Sequence, residues 1–353
     1  MILTVLGTRP EIIKMSLLIP MLDSEFEHEF MFTTQHYSRE MVDVFFEEFK
    51  LRKPDYYLNV RSSNHALLRR TIKASLEKIK PDYVLVYGDV NTTLAGALAA
   101  KDVGSKVIHV EAGARSFDER MPEERNRVET DKASEVLFAI SELTRRHLAR
   151  EGITRNVFVV GLTSVDVCLR NRARALKTKI LGELGVRKGE YTLLTAHRQE
   201  NVDNVRTLAK IAGAFDGVGN VVFPIHPRTS KRLKENGLGL PSNIIHTPPL
   251  GYLDFLNLLA NARVLASDSG GAIQEAITLK TPCLSIRDST ELWESIIAGN
   301  NILAGTEPML IKYYIKMLRE SDLAERMRAA PNPYGDGRAS EKIIRHLEEL
   351  GLG

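Results

Sequence analysis

Short apolar runs alternate with longer helical stretches along almost the whole chain. The runs Ile2–Leu6 and Tyr83–Val86 are rich in Val, Leu and Ile and lack strict polar alternation, which is typical of strands covered on both faces. Because helical stretches separate such runs, the order predicts an α/β fold with doubly wound parallel sheets. The alternation forms two series, and 353 residues exceed the usual size of one compact core, so we expect two domains.

The predicted elements follow from these runs. In the first series the strands are Ile2–Leu6, Glu29–Thr33, Tyr83–Val86, Lys106–Val110, Val136–Ala139 and Val157–Val159. In the second series they are Tyr191–Thr195, Asn220–Ile225, Ile244–His246, Arg263–Ala266, Pro282–Ser285 and Asn301–Ala304. The predicted helices between and after them include Glu11–Leu22, Arg39–Phe49, Val202–Phe215 and Ala339–Leu350. The basic stretch Cys168–Glu190 has no interleaved aromatic residues, which favours a solvated helix and a turn over a nucleic-acid patch.

The composition indicates which classes of protein and of partner can be excluded. The chain has 48 Lys plus Arg against 45 Asp plus Glu, a net charge of +3, which leaves no concentrated basic footprint for nucleic acid. Cys168 and Cys283 are far apart and belong to no Cys/His cluster, so we predict buried free thiols and no metal site. No apolar stretch approaches the roughly 18 residues of a transmembrane helix, and no targeting signal precedes the first strand. We therefore expect a cytoplasmic protein with neither a nucleic-acid nor a membrane partner.

The first predicted strand ends in the turn Gly7-Thr8-Arg9-Pro10, with Lys14 one turn further on. A glycine turn that opens a helix at the carboxyl end of a parallel strand exposes backbone N–H groups, and Arg9 and Lys14 add positive charge. The turn therefore predicts a site for a phosphate-bearing ligand. An ordinary strand-to-helix turn with surface charges is the alternative.

Carboxylates follow predicted strands in the first series. Asp89 either caps the next helix or supplies a carboxylate to a ligand crevice. Glu111 lies between an apolar strand and a small-residue turn, which suits general acid or base catalysis, unless it forms a structural ion pair with Arg115. Glu123 and Glu124 lie at a proline-initiated helix start, where the helix dipole alone also favours acidic residues.

Histidines and an arginine follow strands of the second series. His197 and Arg198 come directly after Tyr191–Thr195, where such a pair can bind and neutralise a diphosphate. His226 follows the next strand, and we interpret it as structural because Pro227 fixes its turn.

Two glycines provide a second phosphate-type turn. Ser269, Gly270 and Gly271 stand after a strand and before a helix, an arrangement that cradles phosphates. Glu275, one turn into that helix, can accept hydrogen bonds from ribose hydroxyls or face solvent. Neither a GxxxxGK[ST] nor a GxGxxG fingerprint occurs, so neither a P-loop NTPase nor bound NAD is indicated. Because ligands of doubly wound sheets bind beyond the carboxyl ends of the strands, we expect the clusters of both domains to share one crevice.

Taken in order, these segments resemble the non-hydrolysing UDP-N-acetylglucosamine 2-epimerases. The matching segments are GTRPEIIKM (Gly7–Met15), QHYSREM (Gln35–Met41), GDVNTT (Gly88–Thr93), HVEAGARS (His109–Ser116), MPEERNR (Met121–Arg127), TAHRQENV (Thr195–Val202), HPRT (His226–Thr229), SDSGG (Ser267–Gly271) and NPYGDG (Asn332–Gly337). The set runs from end to end of the chain and is highly specific.

The resemblance implies a fold and a reaction. The fold is GT-B, with two Rossmann-like domains, at 1–165 and 166–337, and a C-terminal helix, 338–353, that crosses back to the first. In the reaction a base removes the proton at sugar C2 while UDP leaves, and UDP re-adds to the bound glycal after protonation on the other face. The implied enzyme interconverts UDP-GlcNAc and UDP-ManNAc, retains UDP as a bound intermediate, uses no nicotinamide or metal cofactor, and forms a homodimer.

The same resemblance assigns roles to residues. The implied catalytic residues are Asp89, Glu111, Glu123 and the phosphate-contacting His197. The predicted substrate-binding residues are Arg9, Lys14, Arg115, Arg198, Phe255, Ser269, Gly270, Gly271, Glu275 and Arg287. In the family pattern Phe255 falls near uracil, and Glu275 faces ribose.

The chain departs from the family pattern at a few positions. Where the family reads RDxTERPE, Leu292 and Trp293 replace the second arginine and the proline, and Leu162 replaces the asparagine of GNTxxD. Lys132 stands where a histidine is usual and could supply replacement charge. Loss of a bidentate phosphate donor weakens transition-state binding. The alternatives are therefore an epimerase of a variant UDP-HexNAc, a GT-B glycosyltransferase, a catalytically weakened UDP-sugar-binding homologue, and a hydrolysing epimerase that releases ManNAc.

Overall fold

The computed structural model describes residues 1–34 and 46–352. Most of the predicted helix Arg39–Phe49 and the matching segment Gln35–Met41 therefore lie outside the described residues. The chain divides into two compact units, Met1–Val167 with Tyr334–Gly353, and Cys168–Pro333. Both units are α/β with parallel sheets, which confirms the predicted fold class.

The first unit is built on a seven-stranded sheet in the order β3-β2-β1-β4-β5-β6-β7, with every neighbouring pair parallel. Its strands are β1 (Ile2–Leu6), β2 (His28–Phe32), β3 (Tyr56–Tyr57), β4 (Tyr83–Tyr87), β5 (Lys106–Ala112), β6 (Val136–Ala139) and β7 (Val157–Val159). The central strand β1 is buried over its whole length, as a sheet covered on both faces requires.

The second unit has a six-stranded parallel sheet in the order β10-β9-β8-β11-β12-β13. Its strands are β8 (Tyr191–Thr195), β9 (Asn220–Pro224), β10 (Ile244–Thr247), β11 (Val264–Ser267), β12 (Cys283–Ser285) and β13 (Asn301–Leu303). In both sheets the strand order reverses beside the first strand of the unit, between β1 and β4 and between β8 and β11. The turns after these four strands are therefore the expected positions of ligand-binding residues in each unit.

Helices fill the connections. Those within residues 1–167 and 334–352 begin with Arg9–Met15, Leu18–Glu25, His65–Ile79, Asn91–Val103, Pro122–Ala133 and Glu142–Arg150, and end with Ala339–Glu349. Thr163–Ala175 contains the boundary between the units. The others are Ile180–Glu183, Gln199–Val202, Val205–Ala214, Pro227–Glu235, Tyr252–Asn261, Gly270–Thr278, Trp293–Ala298, Pro308–Glu320 and Leu323–Ala329. None of the helices in the described part of the chain is both long and apolar enough to cross a membrane.

The last helix belongs to the first unit. Ile343, Ile344 and Leu347 are buried in the same apolar cluster as Ile12 and Met15. The Asp166 carboxylate accepts hydrogen bonds from the Ala339 and Ser340 N–H groups at 3.1 and 2.7 Å. The predicted return of the chain to its first domain is therefore confirmed.

Two predicted helices are each divided in the structure. Glu11–Leu22 becomes Arg9–Met15 and Leu18–Glu25. Pro20, in the first turn of the second of these, has no N–H and excludes the carbonyl of the residue four positions earlier, so one helix cannot run through it. Val202–Phe215 is divided at Asn204, whose side chain accepts hydrogen bonds from the Arg206 and Thr207 N–H groups and so starts a new helix.

Candidate functional site

Glu111 has a backbone conformation that is rare for a residue with a side chain. Its φ is +75°, and the register of β5 against β6 shifts at this residue, between Val110 and Ala112. A left-handed backbone costs an ordinary residue on the order of 1–3 kcal/mol and is concentrated at functional sites. The strain turns the Glu111 side chain away from the regular alternation of the strand.

Lys14 is the ionic partner of Glu111. Its Nζ lies 3.1 and 2.9 Å from the two carboxylate oxygens, and both side chains are largely buried, at 18% and 11% exposure. Burial alone would lower the pKa of the Lys14 ammonium, but the carboxylate beside it raises that pKa above its ordinary value. Lys14 therefore stays protonated at neutral pH. The alternative that Glu111 pairs with Arg115 is wrong.

Arg115 instead forms a buried ionic network. It is 1% exposed and donates two parallel hydrogen bonds to Glu151, both of 2.8 Å, while its third nitrogen lies 2.7 Å from Asp131. A guanidinium enclosed in this way has little capacity left for a substrate. We therefore assign Arg115 a structural role in place of the predicted substrate contact.

Asp89 follows β4 and is one-third exposed. Its carboxylate accepts a hydrogen bond from Arg127 Nε at 2.9 Å, and Arg127 Nη2 lies 2.8 Å from the same oxygen. The following helix is capped by Val90, without a side-chain hydrogen bond, so Asp89 does not act as its N-cap. The structure thus leaves the Asp89 carboxylate partly open at the carboxyl end of β4.

The two glutamates at the start of helix Pro122–Ala133 have different environments. Glu124 is buried and accepts hydrogen bonds from the Ser116 N–H, the Ser116 hydroxyl and the Phe117 N–H at 2.7–3.0 Å. Glu123 is half-buried, and its carboxylate has no hydrogen bond or ion pair within residues 1–34 and 46–352. Glu124 therefore holds the preceding loop, and Glu123 keeps its capacity to act on a ligand.

The turn after β1 differs from the prediction. The Gly7 and Thr8 N–H groups and the Thr8 hydroxyl all donate to one oxygen of Glu11, at 3.1, 2.7 and 2.7 Å. A Cβ on Gly7 would lie 2.1 Å from the Thr92 hydroxyl oxygen, which explains the glycine. The prediction that this turn presents exposed N–H groups is wrong, because a carboxylate from the same helix already occupies them. Phosphate recognition here would rest on the side chains.

Glu11 should make stability depend on pH. Burial raises the pKa of this carboxyl from 4.5 to about 7. Between these values the folded chain holds a proton that the unfolded chain has released, so stability is present at low pH and lost as pH rises. As the pH rises from 4.5 to about 7, we expect the free energy of unfolding of the native protein to fall. This fall should exceed the fall measured for Glu11→Gln by on the order of 3 kcal/mol. Urea unfolding at these two pH values measures the difference, and Glu142→Gln, at an exposed position, is the control. An equal pH dependence of the unfolding free energy in the native protein, Glu11→Gln and Glu142→Gln would contradict the prediction.

In the second unit, Asp268 organises the turn after β8. It is fully buried, and its carboxylate accepts hydrogen bonds from the His197 N–H at 3.1 and 2.9 Å, the Arg198 N–H at 3.0 Å and the Asn201 amide at 3.0 Å. The His197 Nδ1 lies 3.3 Å from the same carboxylate, while the ring is 37% exposed. The His197 ring is therefore oriented from one side and open on the other. Its neighbour His226 caps helix Pro227–Glu235 through Nδ1, 3.2 Å from the Arg228 N–H.

The glycine turn after β11 has the geometry that the sequence predicts. Ser269 caps helix Gly270–Thr278 by accepting a hydrogen bond from the Ala272 N–H. A Cβ on Gly270 would lie 2.8 Å from a carboxylate oxygen of Glu291, so this turn tolerates only glycine without movement of Glu291. Gly271 has open space at the corresponding position. The helix start is thus closely approached by an anionic group of the protein itself.

Two arginines of this unit lie close to the Glu291 carboxylate. Arg287 is 3% exposed and donates to both Glu291 oxygens at 3.2 and 2.6 Å. Arg198 lies 3.7 Å from the same carboxylate and is 18% exposed. Both of these arginines were predicted to bind substrate. Arg198 remains accessible, whereas Arg287 is enclosed, and we assign to Arg287 the role of holding Glu291 in its orientation.

The remaining predicted residues lie as follows. Arg9 is half-buried in helix Arg9–Met15, Phe255 is half-buried in helix Tyr252–Asn261, and Glu275 is half-buried in helix Gly270–Thr278. Cys168 and Cys283 are free and buried, as predicted.

The departures from the family pattern lie inside the protein or pair locally. Leu292 and Leu162 are each 1% exposed, so both side chains are buried. Lys132 is 55% exposed and pairs with Glu129 at 3.1 Å on its own helix. Lys132 therefore pairs with a glutamate of its own helix, whereas Glu111 and Asp89 pair with Lys14 and Arg127.

Sequence reasoning missed the residues that hold the others in place: Asp131, Asp268 and Glu291. For Asp268 the available signal was an acidic residue that follows the apolar run of a predicted strand. Nothing local marks Asp131, because its partners are 16 to 22 residues away and meet it only in the folded unit.

Comparisons with known proteins agree over the whole chain. The family model described as UDP-N-acetylglucosamine 2-epimerase matches residues 21–348. The UDP-N-acetylglucosamine 2-epimerase of Methanocaldococcus jannaschii is 45% identical, with 97% of each chain covered, and that of Methanococcus maripaludis is 42% identical, with 96% of each covered. The crystal structure of the M. jannaschii UDP-GlcNAc 2-epimerase in complex with UDP-GlcNAc and UDP matches with a TM-score of 0.91 at 42% identity, covering 99% of this chain and 100% of that one. This chain therefore belongs to the UDP-N-acetylglucosamine 2-epimerase family.

Proposed function

We propose that this protein is a non-hydrolysing epimerase that interconverts UDP-GlcNAc and UDP-ManNAc. The observation that carries the proposal is the pair formed by Glu111 and Lys14: a carboxylate on strained backbone, largely buried and held against a protonated lysine. Membership of the family, whose solved M. jannaschii member was crystallised with UDP-GlcNAc and UDP, supports the choice of substrate.

The chemistry needs a base, an acid and a site for a departing anion. The base takes the proton from sugar C2, the C2–H electron pair forms a C1–C2 double bond, and the C1–O bond breaks so that its pair stays on the β-phosphate of UDP. Re-addition reverses these steps after a proton is delivered to the other face of C2. Glu111, Asp89 and Glu123 of the first unit supply the proton-transfer groups in this proposal.

The departing UDP requires stabilisation of its negative charge. In the second unit, His197 and Arg198 follow β8, and Ser269 opens a nine-residue helix after β11. A partly exposed arginine, an imidazole that can donate a hydrogen bond and a helix N-terminus favour a diphosphate. We assign nucleotide binding to these groups, with Phe255 beside uracil and Glu275 on ribose. Arg9 of the first unit stays a predicted phosphate-binding residue.

A proton NMR time course in heavy water tests the proposal. The enzyme is incubated with UDP-GlcNAc and a chelator, without added nicotinamide. We expect UDP-ManNAc to appear with deuterium at C2, because the removed proton exchanges with solvent before it returns. Product that keeps the original hydrogen contradicts elimination. Free ManNAc would identify a hydrolysing enzyme, and UDP release only with an added acceptor alcohol would identify a glycosyltransferase.

Leu292 favours one alternative, an epimerase for a variant UDP-HexNAc. An enclosed leucine cannot donate to an anion, so any contact made by the family's arginine at this position is absent here. A panel of UDP-HexNAc substrates in the same assay separates this enzyme from a weakened homologue, which binds UDP and turns over none of them. The homodimer, the cytoplasmic location and the absence of a cofactor stay predictions.

A further inference from the structure

His109 lies at the centre of a buried hydrogen-bond network two residues before Glu111. The ring is 0% exposed. Its Nδ1 lies 2.7 Å from an oxygen of Asp131, and its Nε2 lies 2.8 Å from the carbonyl oxygen of Gly88. No step of the proposed reaction uses this histidine.

The partners of the ring fix its protonation state. A backbone carbonyl and an ionised carboxylate only accept hydrogen bonds, so both ring nitrogens have to donate. A neutral imidazole has a lone pair on one nitrogen, and that lone pair would face an acceptor at hydrogen-bond distance without water to separate them. Two donating nitrogens make the ring an imidazolium cation.

A proton on Asp131 would be the other way to satisfy these contacts, and its surroundings oppose that. Burial alone would raise the pKa of the Asp131 carboxyl, but the His109 ring and Arg115 together bring that pKa below its ordinary value. Asp131 also accepts a hydrogen bond from the Gly113 N–H at 3.1 Å and pairs with Arg115 at 2.7 Å. All of these contacts stabilise the ionised form.

The other charged side chains joined to this network are already paired. Lys14 pairs with Glu111, Arg115 pairs with Asp131 and Glu151, and Arg127 pairs with Asp89 and Glu124. The strands on either side place apolar residues opposite His109, Val86 on β4 and Leu137 on β6. Asp131 is therefore the carboxylate that His109 faces directly, at 2.7 Å.

The network holds the backbone on both sides of the strained residue. On one side, His109 bonds the Gly88 carbonyl, and the Gly88 N–H bonds the Val110 carbonyl at 3.0 Å. On the other side, Asp131 holds the Gly113 N–H. Gly88 directly precedes Asp89, so the same ring connects the turns that present two of the proposed catalytic carboxylates.

We propose that His109, with both ring nitrogens donating, is a charged clamp which, with Asp131, positions Glu111 and Asp89 for proton transfer. His109 and Asp131 are positioning residues in this proposal, because neither reaches the substrate itself. The catalytic part of the inference rests on the proposed epimerase function, and the charge on the ring does not.

Long-range ¹⁵N NMR of the native protein tests the charge, with the His109 signals assigned from their loss in His109→Gln. We expect both ring nitrogens to show the shifts of protonated nitrogens, because both face hydrogen-bond acceptors. A ring nitrogen that carries a lone pair overturns the clamp. The result requires neither turnover nor a folded Asp131 variant.

Asp131→Asn tests the positioning, because an amide cannot pair with two cations. We expect the turnover number for UDP-GlcNAc to fall on the order of 100-fold, with KM changed less than about threefold and UDP affinity unchanged. Asp102→Asn, which removes an exposed partner of Arg69, is the matched control and should retain native turnover. Native turnover in folded Asp131→Asn overturns the positioning role. If the native protein itself does not epimerise UDP-GlcNAc, the proposed function fails, and the ring nitrogens still decide whether the clamp exists.

Discussion

Glu111→Gln is expected to abolish epimerisation while UDP binding persists. A glutamine occupies nearly the same volume but cannot accept a proton from carbon, so the chemical step loses its base. General base catalysis contributes about 100-fold to 10,000-fold, and we expect a loss of turnover near the upper end because Glu111 is the carboxylate assigned to remove the C2 proton. Exchange of solvent deuterium into C2 should fall in parallel. The NMR time course measures both quantities.

Glu111→Gln also leaves Lys14 without its ion pair, so the variant needs a control for folding and ligand binding. UDP affinity measured by calorimetry should stay close to the native value, since the groups assigned to nucleotide binding are largely in the other unit. Glu129→Gln removes an exposed glutamate that pairs with Lys132 and should retain full turnover. Turnover that survives Glu111→Gln would remove this residue from the role of base.

The fold could be predicted because its signal is local and repeated. Buried parallel strands appear in a sequence as apolar runs, and such runs predicted six of the seven strands in the first sheet. The missed strand, Tyr56–Tyr57, has only two residues, too few to produce a pattern. The helix divisions at Pro20 and Asn204 depend on single residues, which a periodicity averaged over a whole helix does not resolve.

The candidate site could be predicted only in part, because sequence identifies residue types and not their partners. Asp89, Glu111 and His197 could be named as candidates since each comes at the end of an apolar run, although Glu111 lies inside β5 in the structure. The failures concern charge pairing: Glu111 contacts Lys14 and not Arg115, and Glu11 takes the N–H groups of the turn that the sequence assigned to a ligand. Such pairings join residues up to 97 positions apart and depend on the finished fold.

Asp268→Asn is expected to have the largest effect in the second unit. The buried carboxylate accepts backbone hydrogen bonds from His197 and Arg198 and a side-chain hydrogen bond from Asn201. An asparagine supplies one acceptor oxygen and turns an NH₂ group toward the remaining donors. Hydrogen bonds to a charged acceptor contribute about 1.5–3 kcal/mol each, so the loss of one or two should cost about 3 kcal/mol of unfolding free energy.

The same change should weaken UDP binding, because Asp268 sets both the path of the turn and the orientation of the His197 ring. We expect the Kd for UDP to rise roughly tenfold, in a variant that still folds at low temperature. Asp203→Asn is the matched control: its carboxylate pairs with Arg228 and Arg232 at the surface, where screening by solvent makes such pairs weak. Urea unfolding and calorimetry with UDP measure the two effects. A folded Asp268→Asn protein with native UDP affinity would show that the turn after β8 does not depend on this carboxylate, and nucleotide binding would then have to be assigned to the Ser269 turn alone.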